Sequence, residues 1–176
     1  YTTLFRSIYV MKSKVDGYRS RAAYKLIEID DKFKIFKNGI SVIDLGAAPG
    51  SWSQYLSKKI KNSKVVSIDL REMEAINNTV QIKGDFTEEK NQSKIKDFFK
   101  SNVDVILSDM AVNTTGNKNI DSIYTGELCM AAMIFSKKIL NNGGKFISKI
   151  FMGSTFNEIV AEARSEERRV GKECRS

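Results

Sequence analysis

A loop of small residues could bind a nucleoside. Gly46, Ala47, Ala48, Pro49 and Gly50 stand between an apolar segment and an amphipathic one. Small residues let a ligand approach the backbone, and free amides at the start of a helix can receive a carboxylate or phosphate. The loop lacks both the three-glycine pattern of dinucleotide sites and the lysine of a P-loop. It therefore favours a nucleoside without a pyrophosphate, although a tight strand-to-helix turn without a ligand also fits the loop taken alone.

Two acidic residues follow the next two apolar segments. Asp69 lies at the end of the segment 64–70, just before Leu70, and Asp85 comes shortly after 80–82. An acidic residue at the end of a second strand commonly accepts the hydroxyls of a ribose, and Asp85 could accept from an adenine amino group. Each carboxylate alone is more typical of a turn or a helix cap. Together with the small-residue loop, they favour a nucleoside site.

Alternating apolar and amphipathic segments predict the elements that would position these residues. Apolar runs at 41–45, 64–70, 80–82, 103–108 and 145–151 predict strands. Helical spacing predicts helices around 52–60, 95–99 and 128–139, and one more helix after 155. This alternation predicts an α/β domain with a mostly parallel sheet and helices on both faces. An amphipathic helix over 18–33 precedes the sheet. Its expected core contacts are Tyr24, Leu26, Ile27 and Ile29.

Composition narrows the possible chemistry. The chain has 176 residues, no histidine and two cysteines, which excludes histidine metal sites and Ser-His-Asp or Cys-His catalysis. No apolar run reaches the length of about 20 residues needed to cross a bilayer, so we expect a cytoplasmic protein. Residues 1–7 and 164–176 resemble translated adapter sequence and are predicted to be non-native. Removing their six basic and three acidic residues lowers the net charge from +8 to +5, which still allows an anionic partner such as nucleic acid.

Two further polar residues, Asp109 and Lys149, are placed where they could act together. Asp109 follows the fourth predicted strand, and Lys149 interrupts the apolar fifth, where an uncompensated ammonium would be costly. Alternation does not decide whether Lys149 faces inward, because Lys145 and Ile147 share its face while Phe146 has the other. Neighbouring strand ends would bring the two charges close together.

Four segments of the chain together resemble a known family. RSRAAYKL, DLGAAPGSWSQ, LSDMAVNTTG and KFISKIFMGSTF occur in this order and resemble the FtsJ/RrmJ family, more narrowly its bacterial large-subunit ribosomal RNA branch. Four linked motifs are far more specific than one. The resemblance covers 8–163, the predicted methyltransferase domain. It implies a Rossmann-like methyltransferase fold, S-adenosylmethionine as methyl donor, no metal, and 2′-O-methylation of a uridine ribose in 23S ribosomal RNA of the large subunit by a monomeric enzyme.

The resemblance also implies roles for particular residues. The donor would be contacted by Gly50, Trp52, Asp69, Asp85 and Asp109, although an aromatic residue such as Trp52 often serves packing alone. Lys149 would be the base that takes the ribose proton, which requires its neutral form. Asp109 would orient it, and Lys25 would complete a Lys-Asp-Lys arrangement.

The chain departs from the family pattern in two places. Val112 stands where the family usually has proline. The resembled enzymes also continue through two further strands and carry a catalytic glutamate for which no counterpart follows residue 163, so we expect a C-terminally truncated chain with an open sheet edge.

A basic stretch near the N-terminus is the predicted RNA-docking surface. It contains Lys12, Lys14, Arg19, Arg21 and Lys25, with Tyr9, Tyr18 and Tyr24 between them. Lysine and arginine can neutralise phosphates, and tyrosine can stack on bases. A solvated basic helix is the alternative for this stretch.

Three other functions remain open. The first is a transfer-RNA 2′-O-methyltransferase of the same superfamily. The second, from a different class, is a nicotinamide-dependent oxidoreductase, against which the missing three-glycine loop counts. The third is a non-catalytic fragment that binds S-adenosylmethionine and RNA.

Overall fold

A computed structural model describes residues 2–110 and 115–173, and for 2–7, 118 and 166–173 it describes the backbone alone. Five parallel strands form one sheet in the order β3-β2-β1-β4-β5. The strands are β1 (Ser41–Leu45), β2 (Lys64–Asp69), β3 (Thr79–Lys83), β4 (Val103–Ser108) and β5 (Leu140–Ser148). The helices are α1 (Thr2–Val15), α2 (Ala22–Phe33), α3 (Ser51–Lys59), α4 (Glu89–Phe99), α5 (Lys118–Ile139) and α6 (Phe156–Glu173). The predicted α/β fold with helices on both faces is confirmed.

Side chains that alternate along each strand form two cores. Ile43 and Ile106 lie on the face covered by α4 and α5, where Phe135 is almost fully buried. Val42 and Val105 lie on the opposite face, against α2 and α3. Because both faces are covered, the central strands are mostly apolar, as parallel strands usually are, with Asp44 in β1 and Asp104 in β4 as exceptions.

The leading helix is shorter than predicted. The sequence predicts a helix over 18–33, but α2 begins at Ala22, after a turn in which Gly17 has a φ of +69° and the Ala22 amide donates to the Ser20 hydroxyl. The expected core contacts are confirmed: Tyr24 and Leu26 are buried, and two isoleucines of α2 pack partly buried against the same core. The preceding α1 was not predicted.

The fifth strand differs at both ends from the predicted 145–151. Strand β5 follows α5 directly and contains Gly143 and Gly144, which the sequence places in a separate turn. Here Val103 pairs with Leu140 while Val105 pairs with Lys145, so the extra residues form a bulge inside the strand. Strand β5 ends at Ser148, and Lys149 comes immediately after it. Its amide still donates to the carbonyl oxygen of Ser108 at 2.9 Å.

Candidate active site

The small-residue loop leaves β1 and passes in front of β2. Gly46 and Gly50 have φ values of +69° and +103°, which glycine adopts at low cost. A Cβ on Gly46 would overlap the Met110 side chain. The Ala48 amide donates to Asp69 Oδ2 at 2.9 Å, which fixes the loop to the end of β2. The loop and Asp69 thus form one unit, as the sequence predicts.

Asp69 and Asp85 lie at neighbouring strand ends and are connected through the backbone. The Gly84 amide donates to the Asp69 carbonyl oxygen at 2.9 Å. Asp69 Oδ1 also accepts from the Arg71 amide at 2.8 Å and lies 3.5 Å from Arg71 Nε. Arg71 was not identified from the sequence, where only its position just after a strand could have indicated it. Asp85 Oδ1 accepts from the amide and hydroxyl of Thr87, so this carboxylate also stabilises a turn.

Trp52 packs in the core beside the site. Its side chain is buried between α2 and α3, and its indole N–H donates to the Ala22 carbonyl oxygen at 2.8 Å. The packing role that the sequence leaves open is therefore present in this structure. The backbone of Trp52 lies in the first turn of α3, where helix amides have no intrahelical partner.

Lys25, Asp109 and Lys149 meet although they come from distant parts of the chain. Lys149 Nζ lies 2.8 Å from Asp109 Oδ1 and donates to the Asp109 carbonyl oxygen at 2.9 Å. Lys25 Nζ lies 3.4 Å from both Asp109 carboxylate oxygens. The side chains of Asp109 and Lys149 are 17% and 23% exposed, whereas that of Lys25 is 53% exposed. Lys149 thus lies on the side of the sheet that α2 covers, the side on which Ile147 also packs. Alternation along the sequence had left the direction of Lys149 undecided.

A cleft of about 460 Å³ opens beside these lysines. Its walls combine apolar and charged side chains: Lys25, Glu28, Ile29, Lys32, Phe33, Trp52, Ile147, Ser148 and Lys149. Phe33 is an exposed aromatic residue at this wall. The cleft lies between α2 and the end of β5, so a ligand in it would contact both lysines of the site.

The aromatic residues of the basic stretch mostly contact one another. The Tyr24 ring lies 5.1 Å from that of Tyr9 and 5.9 Å from that of Tyr18. The Tyr24 hydroxyl donates to Asp16 Oδ2 at 2.6 Å, and Lys12 Nζ lies over the Tyr24 ring. Tyr24 is buried and so offers no free face for stacking on a base.

Similarity to known proteins identifies the family. The sequence pattern of the FtsJ-like methyltransferases matches residues 18–173. The ribosomal RNA large subunit methyltransferase E of Pelagibacter ubique (strain HTCC1062) is 70% identical over 156 residues, which cover 89% of this chain and 77% of that protein. The enzyme of the same name from Rickettsia akari (strain Hartford) is 46% identical over 164 residues, with 90% and 72% covered. The chain belongs to the FtsJ-like methyltransferase family.

Solved structures agree with this family. A Plasmodium falciparum protein described as a ribosomal RNA methyltransferase superimposes with a TM-score of 0.78 at 35% identity, covering 84% of this chain and 86% of that one. A short-chain dehydrogenase/reductase from Serratia marcescens reaches 0.53 at 12% identity, covering 77% and 70%, which shows a shared Rossmann-like fold and nothing of its chemistry. The family thus favours methyl transfer over the nicotinamide-dependent alternative.

The remaining predictions from the sequence concern Val112, the two chain ends, membrane spans and metal sites. Val112 lies outside the described residues. Helices α1 and α6 run through parts of 1–7 and 164–176, but the non-native origin of those segments stays a prediction. Within the described part of the chain, no helix is both long and apolar enough to span a membrane. Among the same residues, no three His, Cys, Asp or Glu side chains gather as a metal site would require.

Proposed function

We propose that this methyltransferase transfers a methyl group from S-adenosylmethionine to a ribose 2′-hydroxyl of large-subunit ribosomal RNA, the target being a uridine of 23S ribosomal RNA. The observation that carries the proposal is the contact of Lys25 and Lys149 with one carboxylate, Asp109, at the end of β4. The names of the two relatives support ribosomal RNA over transfer RNA as the substrate. A cytoplasmic location and a monomeric state remain predictions from the sequence.

The strand ends fit the proposed donor. The loop 46–50 carries only small side chains, so a ligand can approach its backbone closely. Beside Gly46 and Gly50 themselves, the side chains of Met110 and Arg19 already fill the space. Asp69 lies where a carboxylate can accept ribose hydroxyls, and Asp85 Oδ2 has no hydrogen bond within the described residues, so it can accept from an adenine amino group. When bound, S-adenosylmethionine supplies a methyl group already activated on a sulfonium. The protein then has to align the hydroxyl and accept its proton.

Lys149 is the proposed base. Its role is to accept the 2′-hydroxyl proton at Nζ, which Asp109 holds in place with a carboxylate oxygen and a carbonyl oxygen. Once protonated, the ammonium is stabilised by the adjacent Asp109 carboxylate. Lys25 contributes a second cation at the more exposed side, where it can meet the phosphate next to the reacting ribose.

Methyl transfer to undermethylated large ribosomal subunits tests this function. The chain is incubated with tritiated-methyl S-adenosylmethionine, and the labelled nucleoside is identified after hydrolysis. We expect label on a ribose 2′-oxygen and a loss of at least about 100-fold in rate for Lys149→Ala, which removes the proton acceptor. The matched control is Lys145→Ala, because Lys145 is an exposed lysine of β5 on the same strand face. Donor binding without any transferred label would favour the non-catalytic alternative, and label in Lys149→Ala equal to that in Lys145→Ala would exclude Lys149 as the base.

A further inference from the structure

Arg19 connects three parts of the protein around the small-residue loop. Its guanidinium donates through Nη1 to the carbonyl oxygens of Pro49 and Glu74, both at 3.0 Å, and through Nη2 to that of Ala75 at 3.1 Å. Its amide donates to Gln54 Oε1 on α3 at 2.8 Å. The side chain is only 17% exposed. These carbonyls belong to the loop and to the β2–β3 connection, so one side chain holds both segments.

The guanidinium also occupies the space beside Gly50. A Cβ on Gly50 would lie 2.8 Å from Arg19 Nη1 and 2.7 Å from Ile76 Cδ1. Gly50 has a φ of +103° and immediately precedes α3. The backbone that presents the first amides of α3 is therefore packed directly against the arginine.

We propose that Arg19 is a positioning residue for cofactor binding, which holds the loop 46–50 and the β2–β3 connection in the geometry that accepts S-adenosylmethionine. The inference rests on the proposed function. It replaces the RNA-contacting role that the sequence suggests for Arg19, because both terminal nitrogens already donate inside the protein. Within the described part of the chain, the Arg21 side chain makes no hydrogen bond to the loop or to the β2–β3 connection, so its predicted RNA-contacting role is kept.

An arginine suits this position better than a lysine. The guanidinium offers donors in a planar fork, so it can bind several carbonyl oxygens in fixed directions at once. A lysine ammonium is a compact point charge and cannot keep the same three hydrogen bonds from one position. The absence of a Cβ at position 50 lets the guanidinium pack against the loop backbone, because a Cβ there would approach Nη1 to 2.8 Å.

Donor affinity measured by calorimetry tests the inference. S-adenosylmethionine is titrated into the wild-type chain and into Arg19→Gln, Arg19→Lys, Arg21→Gln and Glu74→Gln, and thermal unfolding is recorded for each protein. We expect the Kd to rise by about tenfold or more in Arg19→Gln and by a smaller factor in Arg19→Lys, because charge-assisted hydrogen bonds to the loop are lost. The Glu74 side chain is 90% exposed and meets Arg19 only at 3.5 Å, so Glu74→Gln should stay within about twofold of wild type.

The contrast with Arg21→Gln separates cofactor positioning from RNA binding. This variant should keep the donor Kd within about twofold of wild type while the KM for RNA rises. A folded Arg19→Gln variant with wild-type donor affinity and a raised KM for RNA would overturn the inference. If Arg19→Gln does not fold, the same two measurements on Arg19→Lys test the inference instead. Failure of the wild-type chain to bind S-adenosylmethionine would overturn the proposed function, and this inference with it.

Discussion

Two aspartates, Asp30 on α2 and Asp44 on β1, are equally buried and yet differ in their ionisation. Each is 1% exposed. Burial raises the pKa of a carboxyl group, because the charged form loses its hydration. For Asp44 this effect prevails and raises the pKa to about 7, whereas the pKa of Asp30 lies below its ordinary value. Burial alone therefore does not decide whether such a group carries a charge.

The difference lies in the donors that surround each carboxylate. Asp30 Oδ1 accepts from the amides of Ile35 and Phe36 at 2.9 and 3.0 Å, and Oδ2 accepts from the Tyr55 hydroxyl at 2.7 Å, with Lys59 Nζ at 3.3 Å. Burial opposes these contacts, but together they outweigh it and lower the pKa. The arrangement ties the C-terminal end of α2 to α3, and α2 carries the catalytic candidate Lys25.

Asp44 has fewer donors and more negative neighbours. Its hydrogen bonds come from Ser53, whose hydroxyl lies 2.6 Å from Oδ2, and the Asp109 and Asp69 carboxylates add to the effect of burial on its pKa. Asp44 lies near the end of β1, immediately before the small-residue loop 46–50. The comparison teaches that a buried carboxylate at a site rich in acids is held partly neutral, while one wrapped in donors serves as a structural anion.

Removal of the donor-rich carboxylate should have the largest effect. Asp30→Ala would leave two buried amides and the Tyr55 hydroxyl without their acceptor, so we expect a loss of about 3 kcal/mol in the free energy of unfolding. Urea denaturation at pH 7 measures it. The matched control is Asp31→Ala, whose exposed carboxylate lies 3.8 Å from Lys34 Nζ. Equal losses in the two variants would contradict the anchoring role of Asp30.

Replacing Asp44 by a neutral residue should stabilise the protein at alkaline pH. Since the pKa of Asp44 is raised in the folded state, the native protein holds a proton between pH 4 and 7 that the unfolded chain has released, and stability falls as pH rises through this window. From pH 5 to pH 8 the loss from this group is roughly 3 kcal/mol. We expect Asp44→Asn to match wild type at pH 5 and to exceed it at pH 8 in urea denaturation.

A matched surface substitution makes that experiment decisive. Asp97 is an exposed residue of α4, and its carboxylate forms no hydrogen bond or ion pair within the described residues. The free energy of unfolding of Asp97→Asn should therefore equal that of wild type at both pH values. A gain at pH 8 shared by both variants would reflect net charge, and no gain in Asp44→Asn would contradict the raised pKa.

The ion pair at Asp30 should contribute least. The Lys59 side chain is 43% exposed, so solvent weakens its attraction to Asp30, and Lys59→Met should cost less than about 1 kcal/mol. Urea denaturation in parallel with Asp30→Ala gives the comparison. A loss as large as that of Asp30→Ala would show that the ammonium, and not the neutral donors, stabilises the buried charge.

Much of the fold could be predicted from the sequence, because parallel strands buried on both faces leave continuous apolar runs. The segments 41–45 and 103–108 match β1 and β4 to the residue. The start of α2 and the extent of β5 were wrong, since a local turn at Gly17 and a bulge inside β5 depend on contacts with Ser20 and with the neighbouring strand. The contact between Asp109 and Lys149 was expected from neighbouring strand ends. The contact of Lys25 with Asp109 followed only from the family resemblance, because 84 residues separate the two along the chain.

The sequence by itself determined the order of the elements from α2 onward, the carboxylates at the strand ends and the family. Only the tertiary structure decided what each charged or aromatic group does there. Arg19 was predicted to contact RNA but donates to three carbonyl oxygens around the loop, and Trp52 donates to Ala22 within the core. The physical reason is common to these residues and to the two buried aspartates. The ionisation and availability of a polar group depend on partners brought close by folding, and those partners come from distant parts of the chain.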